Sequence, residues 1–143
     1  MAPRIAHCHC GALRLRCEGA PRKVSLCCCV QCQRRTGSAY SVAVFYGRDQ
    51  VHVEAGATAT FERPSASGSP VAFHFCPSCG SNVYWLPARM PELIGVAVGA
   101  FAEPDFPPPE QAVWTREKPY WAPLPDGLPC FEQSPPPRTA GAR

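Results

Sequence analysis

Ten of the 143 residues are cysteine, and most of them fall in three short clusters. These are Cys8-His9-Cys10-Gly11, Cys27-Cys28-Cys29-Val30-Gln31-Cys32 and Cys76-Pro77-Ser78-Cys79-Gly80. So many cysteines serve either as disulfides in an oxidising compartment or as thiolate metal ligands in a reducing one. The N-terminus favours the second use. Residues 1–8 contain no apolar core of a signal peptide, and cysteine arrives before such a segment could fit. No stretch approaches the length of a membrane span. The chain is therefore read as soluble and cytoplasmic, with thiolates that hold metal.

A structural zinc takes four soft ligands at tetrahedral corners, and a short loop with two cysteines supplies two adjacent corners. Cys76 and Cys79 have the spacing of such a loop, and Gly80 permits the tight backbone it needs. Cys8 and Cys10 are its expected partners. Two residues apart on an extended strand, they face the same side and reach one ion. In the middle cluster Cys27 and Cys29 share a side, Cys32 returns through the next turn, and Cys28 points away. Three ligands leave one position for water or substrate, which separates a catalytic zinc from a structural one. Two Zn²⁺ per chain are expected. The competing reading closes this site too, with Cys28, Cys17, Cys130, His7 or His9 as fourth ligand.

Around these clusters the sequence reads as mainly β. Its 45% hydrophobic residues suffice for one modest core, and its 18 prolines and 11 glycines break up long elements. Residues 12–17 alternate apolar and charged side chains, the mark of a strand with one wet face. Runs rich in β-branched and aromatic residues predict strands at 24–26, 40–46, 51–54, 59–62, 71–75 and 93–98, and a last one at 112–115. One helical turn is predicted at 30–36, with Gly37 as its C-cap. Residues 1–133 form the expected domain and 134–143 a flexible Pro-rich tail.

The formal charge of +3 is mildly basic. Zinc held by four thiolates and by three thiolates removes that excess, which weakens a nucleic-acid reading. The rival to an enzyme is a zinc-stabilised binding module. Arg14, Arg16, Arg22, Lys23, Arg34 and Arg35 support it, although no aromatic residues are interleaved with them. Redox chemistry like that of methionine sulfoxide reductases is a third option, and it needs a cysteine free of metal.

The ordered motifs C-x-C-G, C-x-C-x-x-C, F-C-x-x-C-G-S-x-x-Y-W, V-G-A-F-x-x-P-D and W-x-P-L-x-D-G-L-P-x-F run from Cys8 to Phe131. This set resembles the glutathione-dependent formaldehyde-activating enzyme family, related to centromere-protein-V-like proteins. The resemblance implies a β-tent fold of packed antiparallel sheets, a structural zinc at Cys8, Cys10, Cys76 and Cys79, and a catalytic zinc at Cys27, Cys29 and Cys32. It also implies a carbon-sulfur lyase that reversibly joins glutathione, or another small thiol, to formaldehyde or a similar small aldehyde. Gln33, Cys28 and Ala112 depart from the usual family residues at their positions. Two mechanisms are open, a metal-held substrate thiolate or a polarised carbonyl. Arg34 and Arg35 are candidates for meeting substrate carboxylates, and Trp85, Phe101 and Trp121 for walling a pocket.

Overall fold

The computed structural model describes residues 1–65 and 68–136. It is mainly β, with two sheets and one α-helix. A small sheet contains β1 (Arg4–His7), β2 (Arg14–Cys17) and β5 (Val51–Ala55), in the order β1-β2-β5. The large sheet contains β3 (Lys23–Cys27), β4 (Ser41–Gly47), β6 (Ala59–Pro64), β7 (Pro70–Phe75), β8 (Asn82–Pro87), β9 (Leu93–Ala97) and β10 (Gln111–Val113). Its strand order is β10-β3-β4-β9-β8-β7-β6. Pairing is antiparallel except at the edge, where β10 runs parallel to β3. Among the described residues no helix is long and apolar enough to cross a membrane.

The period of two along β4 explains the layering. Val44 and Tyr46, with Val42, turn to the main core, while Ala43 and Phe45 turn to the opposite face. The main core lies between the sheets, where Leu15 and Cys17 of β2 meet Val24, Val44, Val83 and Val96 of the large sheet. Each such fully buried aliphatic side chain is worth roughly 1.5–3 kcal/mol relative to exposure. The other face of the large sheet carries Ala43, Val71, Phe73 and Trp85, and it forms the floor of a cavity.

The helix α1 (Val30–Thr36) lies where the sequence predicts it, and Gly37 closes it at φ 66° in the left-handed region. Cys29 is its N-cap and its sulfur accepts from the Cys32 N–H. Two expectations are corrected. Cys8 to Gly11 is a turn and not an extended strand: the Gly11 N–H donates to the Cys8 carbonyl at 3.0 Å with Gly11 at φ 80°. Strand β8 goes unpredicted because its Val83, Tyr84 and Trp85 are all buried, which erases the alternation that marks a half-buried strand. The expected tail begins with Ser134, which lines the cavity, and residues 137–143 lie outside the described residues.

Candidate metal centres and the cavity beside the second

The first thiol group is assembled by two turns from distant parts of the chain. One follows β1. The other joins β7 to β8, where the Gly80 N–H donates to the Cys76 carbonyl at 2.8 Å and Gly80 takes φ 76°. Cys8 and Cys76 are buried and Cys10 and Cys79 exposed, so the group sits at the rim of the inter-sheet core. All four sulfurs lie within 4.8 Å of one another.

The spacing fits a metal and not a disulfide. Two sulfurs on one tetrahedral zinc, each about 2.3 Å from it, stand roughly 3.8 Å apart. Cys8 and Cys10 hold theirs at 3.6 Å, and Cys10 and Cys76 at 3.7 Å. A disulfide would draw them to about 2.05 Å. Neighbouring donors already favour thiolate: the Leu13 N–H donates to the Cys8 sulfur at 3.2 Å. The Ser81 hydroxyl, with the backbone N–H groups of Cys10 and Ser81, holds the Cys79 thiol down to about 5.

The second group is Cys27, Cys29 and Cys32, again with all sulfurs within 4.8 Å. Cys27 ends β3, Cys29 caps α1 and Cys32 lies in its first turn, so one strand-to-helix corner supplies all three. Hydrogen bonds from Cys27 and Cys32 hold the Cys29 thiol well below its ordinary value. Cys27 is pushed up by its sulfur neighbours Cys29 and Cys32 and by burial. A cluster that accommodates one negative charge and resists the second and third has the chemistry of a cation site, because a dication removes that repulsion.

None of the candidate fourth ligands joins the three among the described residues. Cys28 is fully buried on the opposite side with Leu26 and Ala112. Cys17 belongs to the main core, and Cys130 donates to the Leu128 carbonyl at 3.2 Å. His7 turns Nδ1 to the Cys8 carbonyl at 2.7 Å, and the His9 N–H donates to the Ser81 hydroxyl at 3.0 Å. The three sulfurs instead face a cavity of about 250 Å³. Ser25 and Cys27 of β3, Ala43 and Phe45 of β4, and Trp85 of β8 contribute to its lining.

Arg35 braces the cavity from α1. Its Nη1 donates to Asn82 Oδ1 and its Nη2 to the Ser41 hydroxyl, both at 2.7 Å, while the guanidinium lies 4.5 Å from the Trp85 ring centre. Of the other expected pocket residues, Trp85 lines the cavity, Phe101 packs in the main core and Trp121 is exposed on the surface. Arg63, Phe73 and Trp114 also line it and were not singled out from the sequence, because sheet pairing brings them in from distant positions. Of the basic residues near the N-terminus, Arg14 pairs with Glu54, and Arg16 with Glu18 and Glu54.

The fold and these two groups define a cysteine-rich β protein with one four-thiol centre and one three-thiol centre open to a cavity. Residues 3–117 match the sequence model of the family described as glutathione-dependent formaldehyde-activating enzyme, and the chain belongs to that family. A Halomonas elongata protein named "Putative glutathione-dependent formaldehyde-activating enzyme" is 30% identical over 120 residues, covering 80% of this chain and 76% of that protein. The crystal structure of a Rhodobacter sphaeroides protein shares the fold with a TM-score of 0.56 at 21% identity, covering 89% of this chain and 98% of that one.

Proposed function

We propose that the protein is a zinc-dependent carbon-sulfur lyase that reversibly adds glutathione, or a similar small thiol, to formaldehyde or another small aldehyde. The observation that carries this reading is the open side of the three-cysteine group, which faces an aromatic-walled cavity instead of a fourth protein ligand among the described residues. Family membership supports the substrate pair. In this reading Cys8, Cys10, Cys76 and Cys79 hold a structural zinc, and Cys27, Cys29 and Cys32 hold the catalytic one. Bound there, zinc would keep a thiol ionised at neutral pH or polarise a carbonyl.

The reaction forms one sulfur-carbon bond, and the thiol proton ends on the former carbonyl oxygen. It needs no oxidant or reductant. The chain's own side chains orient the partners: Trp85 and Phe45 wall the cavity, and Arg35 fixes the Ser41 hydroxyl at its edge. Because Ser41 accepts from Arg35, its own proton remains available to the developing alkoxide. Residues 1–133 act as one catalytic domain in this proposal.

Exchange spectroscopy by NMR on glutathione and formaldehyde with the purified, zinc-loaded protein tests the reading. Interconversion of free and hydroxymethylated glutathione should exceed the spontaneous rate. Equality with that rate sinks the formaldehyde assignment.

A further inference from the structure

A second recess, of about 510 Å³, adjoins the cysteine-lined cavity and shares Arg35, Arg63 and Phe73 with it. Arg34 of α1 and Phe61 of the edge strand β6 complete its outer wall. Outside both spaces, Arg22 turns to the Gln50 side chain, Arg48 to the Leu93 carbonyl and Arg116 to the Trp114 ring. Arg4, Arg14 and Arg16 are each paired with a carboxylate. Arg34, Arg35, Arg63 and Arg89, which line the cavity or the recess, have no carboxylate partner among the described residues. No Asp or Glu lines either space among the described residues.

Guanidinium groups gathered without counter-charge around a concave, partly apolar space create a positive field focused on its occupant. Arg35 has committed both Nη atoms to Asn82 and Ser41, and its buried Nε has no partner among the described residues. It therefore contributes charge at the junction of the two spaces. Arg63 gives Nη1 to the Pro64 carbonyl at 2.8 Å and retains further donors, and Arg34 is exposed at the mouth. Phe61 is 60% exposed, a large apolar side chain facing water beside these charges. That combination suits a carboxylate carried on a methylene stem.

We infer that the recess is an anion subsite for the acidic arm of the thiol co-substrate, with Arg34 and Arg63 as its specificity-determining residues. The placement of the thiol end in the neighbouring cavity rests on the function proposed above. The ligand class is a thiol bearing a carboxylate on an arm beyond its sulfur. Amino thiols without an acid, such as cysteamine, meet only like charge here and are disfavoured.

Calorimetric titration of the zinc-loaded protein with S-methylglutathione and with its dimethyl ester tests the subsite without turnover and without a free thiol. At low salt the diacid should bind about tenfold more tightly than the ester, the size expected for charge-assisted pairing. The preference should shrink with added salt and collapse toward unity in the Arg34→Gln/Arg63→Gln double variant. An Arg48→Gln control, outside both spaces, should keep it. No binding, equal binding of acid and ester, or an unchanged ratio in the double variant overturns the inference. Acid preference in a protein that fails to accelerate formaldehyde exchange leaves the subsite standing and removes only the proposed reaction.

Discussion

Cys10 and Cys76 lie 66 positions apart in the chain and hold their sulfurs 3.7 Å from one another. Through them the turn after β1 in the small sheet is fastened to the β7–β8 turn of the large one. Because each turn brings two cysteines, a metal held by the group would cross-link the two layers, which also meet through apolar packing and the His9–Ser81 hydrogen bond.

That role makes a first prediction about stability. A structural zinc in a small thiolate site contributes about 10–16 kcal/mol of apparent binding energy, comparable with or larger than the ~5–15 kcal/mol stability of a whole domain. Cys76→Ser should lower metal content from two zinc ions per chain toward one and abolish the cooperative unfolding transition. Elemental analysis together with circular dichroism reads both effects. A folded Cys76→Ser protein with unchanged melting would overturn the structural assignment.

The three-cysteine group should behave differently, because it lies within one corner of the chain and ties no distant segments together. Cys29→Ser is expected to lose one zinc and at least about a hundredfold in thiol-aldehyde exchange, comparable with the loss of a key catalytic group. Its melting temperature should fall by only a few degrees, about what a ~1 kcal/mol loss produces in a domain of this size. Full activity in the variant would remove these cysteines from the mechanism.

The sequence exposed local features well and long-range ones poorly, for a physical reason. Helix α1 and its Gly37 cap are set by neighbours along the chain, so their signals are contiguous. The cysteine spacings were legible because each short loop carries two or three of the thiols within a few residues, although the meeting of Cys8 and Cys10 with Cys76 and Cys79 is itself long-range. By contrast, Trp85 faces the cavity because β8 pairs with β9 and β7, and Arg63 reaches it from the far edge of the sheet. Such placements follow from strand order, which no short window of sequence contains. The parallel pairing of β10 with β3 is of the same kind, since its partners Ala112 and Leu26 belong to opposite ends of the chain.

Alkaline pH should weaken the fold through Cys17 and Tyr46. Burial pushes the Cys17 thiol up to about 12, from 9.0 in the unfolded chain. Burial, followed by the neighbouring Cys17, pushes the Tyr46 phenol up to about 12 from 10.0, and its hydroxyl has no partner among the described residues. Both groups favour the folded state fully below their unfolded values. As pH rises, the unfolded chain releases protons that the folded one retains, so stability falls between about 9 and 12. Each group contributes a slope of about 1.4 kcal/mol per pH unit within its window. Urea unfolding at successive pH values should show a shallower decline for Cys17→Ala than for the wild type. Parallel declines would rule out Cys17 as a source.

Gly95 provides the sharpest test of the cavity wall. On β9 it pairs with Phe45 on one side and Trp85 on the other. The Trp85 indole lies directly over it, with Nε1 and Cε2 closer than any side-chain carbon at position 95 could approach. Only hydrogen fits beneath the ring, and this is what lets the indole lie against the sheet and line the cavity. Gly95→Ala must therefore displace Trp85, which also carries the Arg35 guanidinium. The expected cost is about 1–3 kcal/mol of stability, as for other overpacked sites, together with an altered tryptophan emission and weaker thiol binding. Gly99→Ala is the matched control, because nothing lies within 4 Å of its added methyl and its backbone is unstrained. If both substitutions leave emission and binding alike, Trp85 does not shape the cavity through its seat on Gly95.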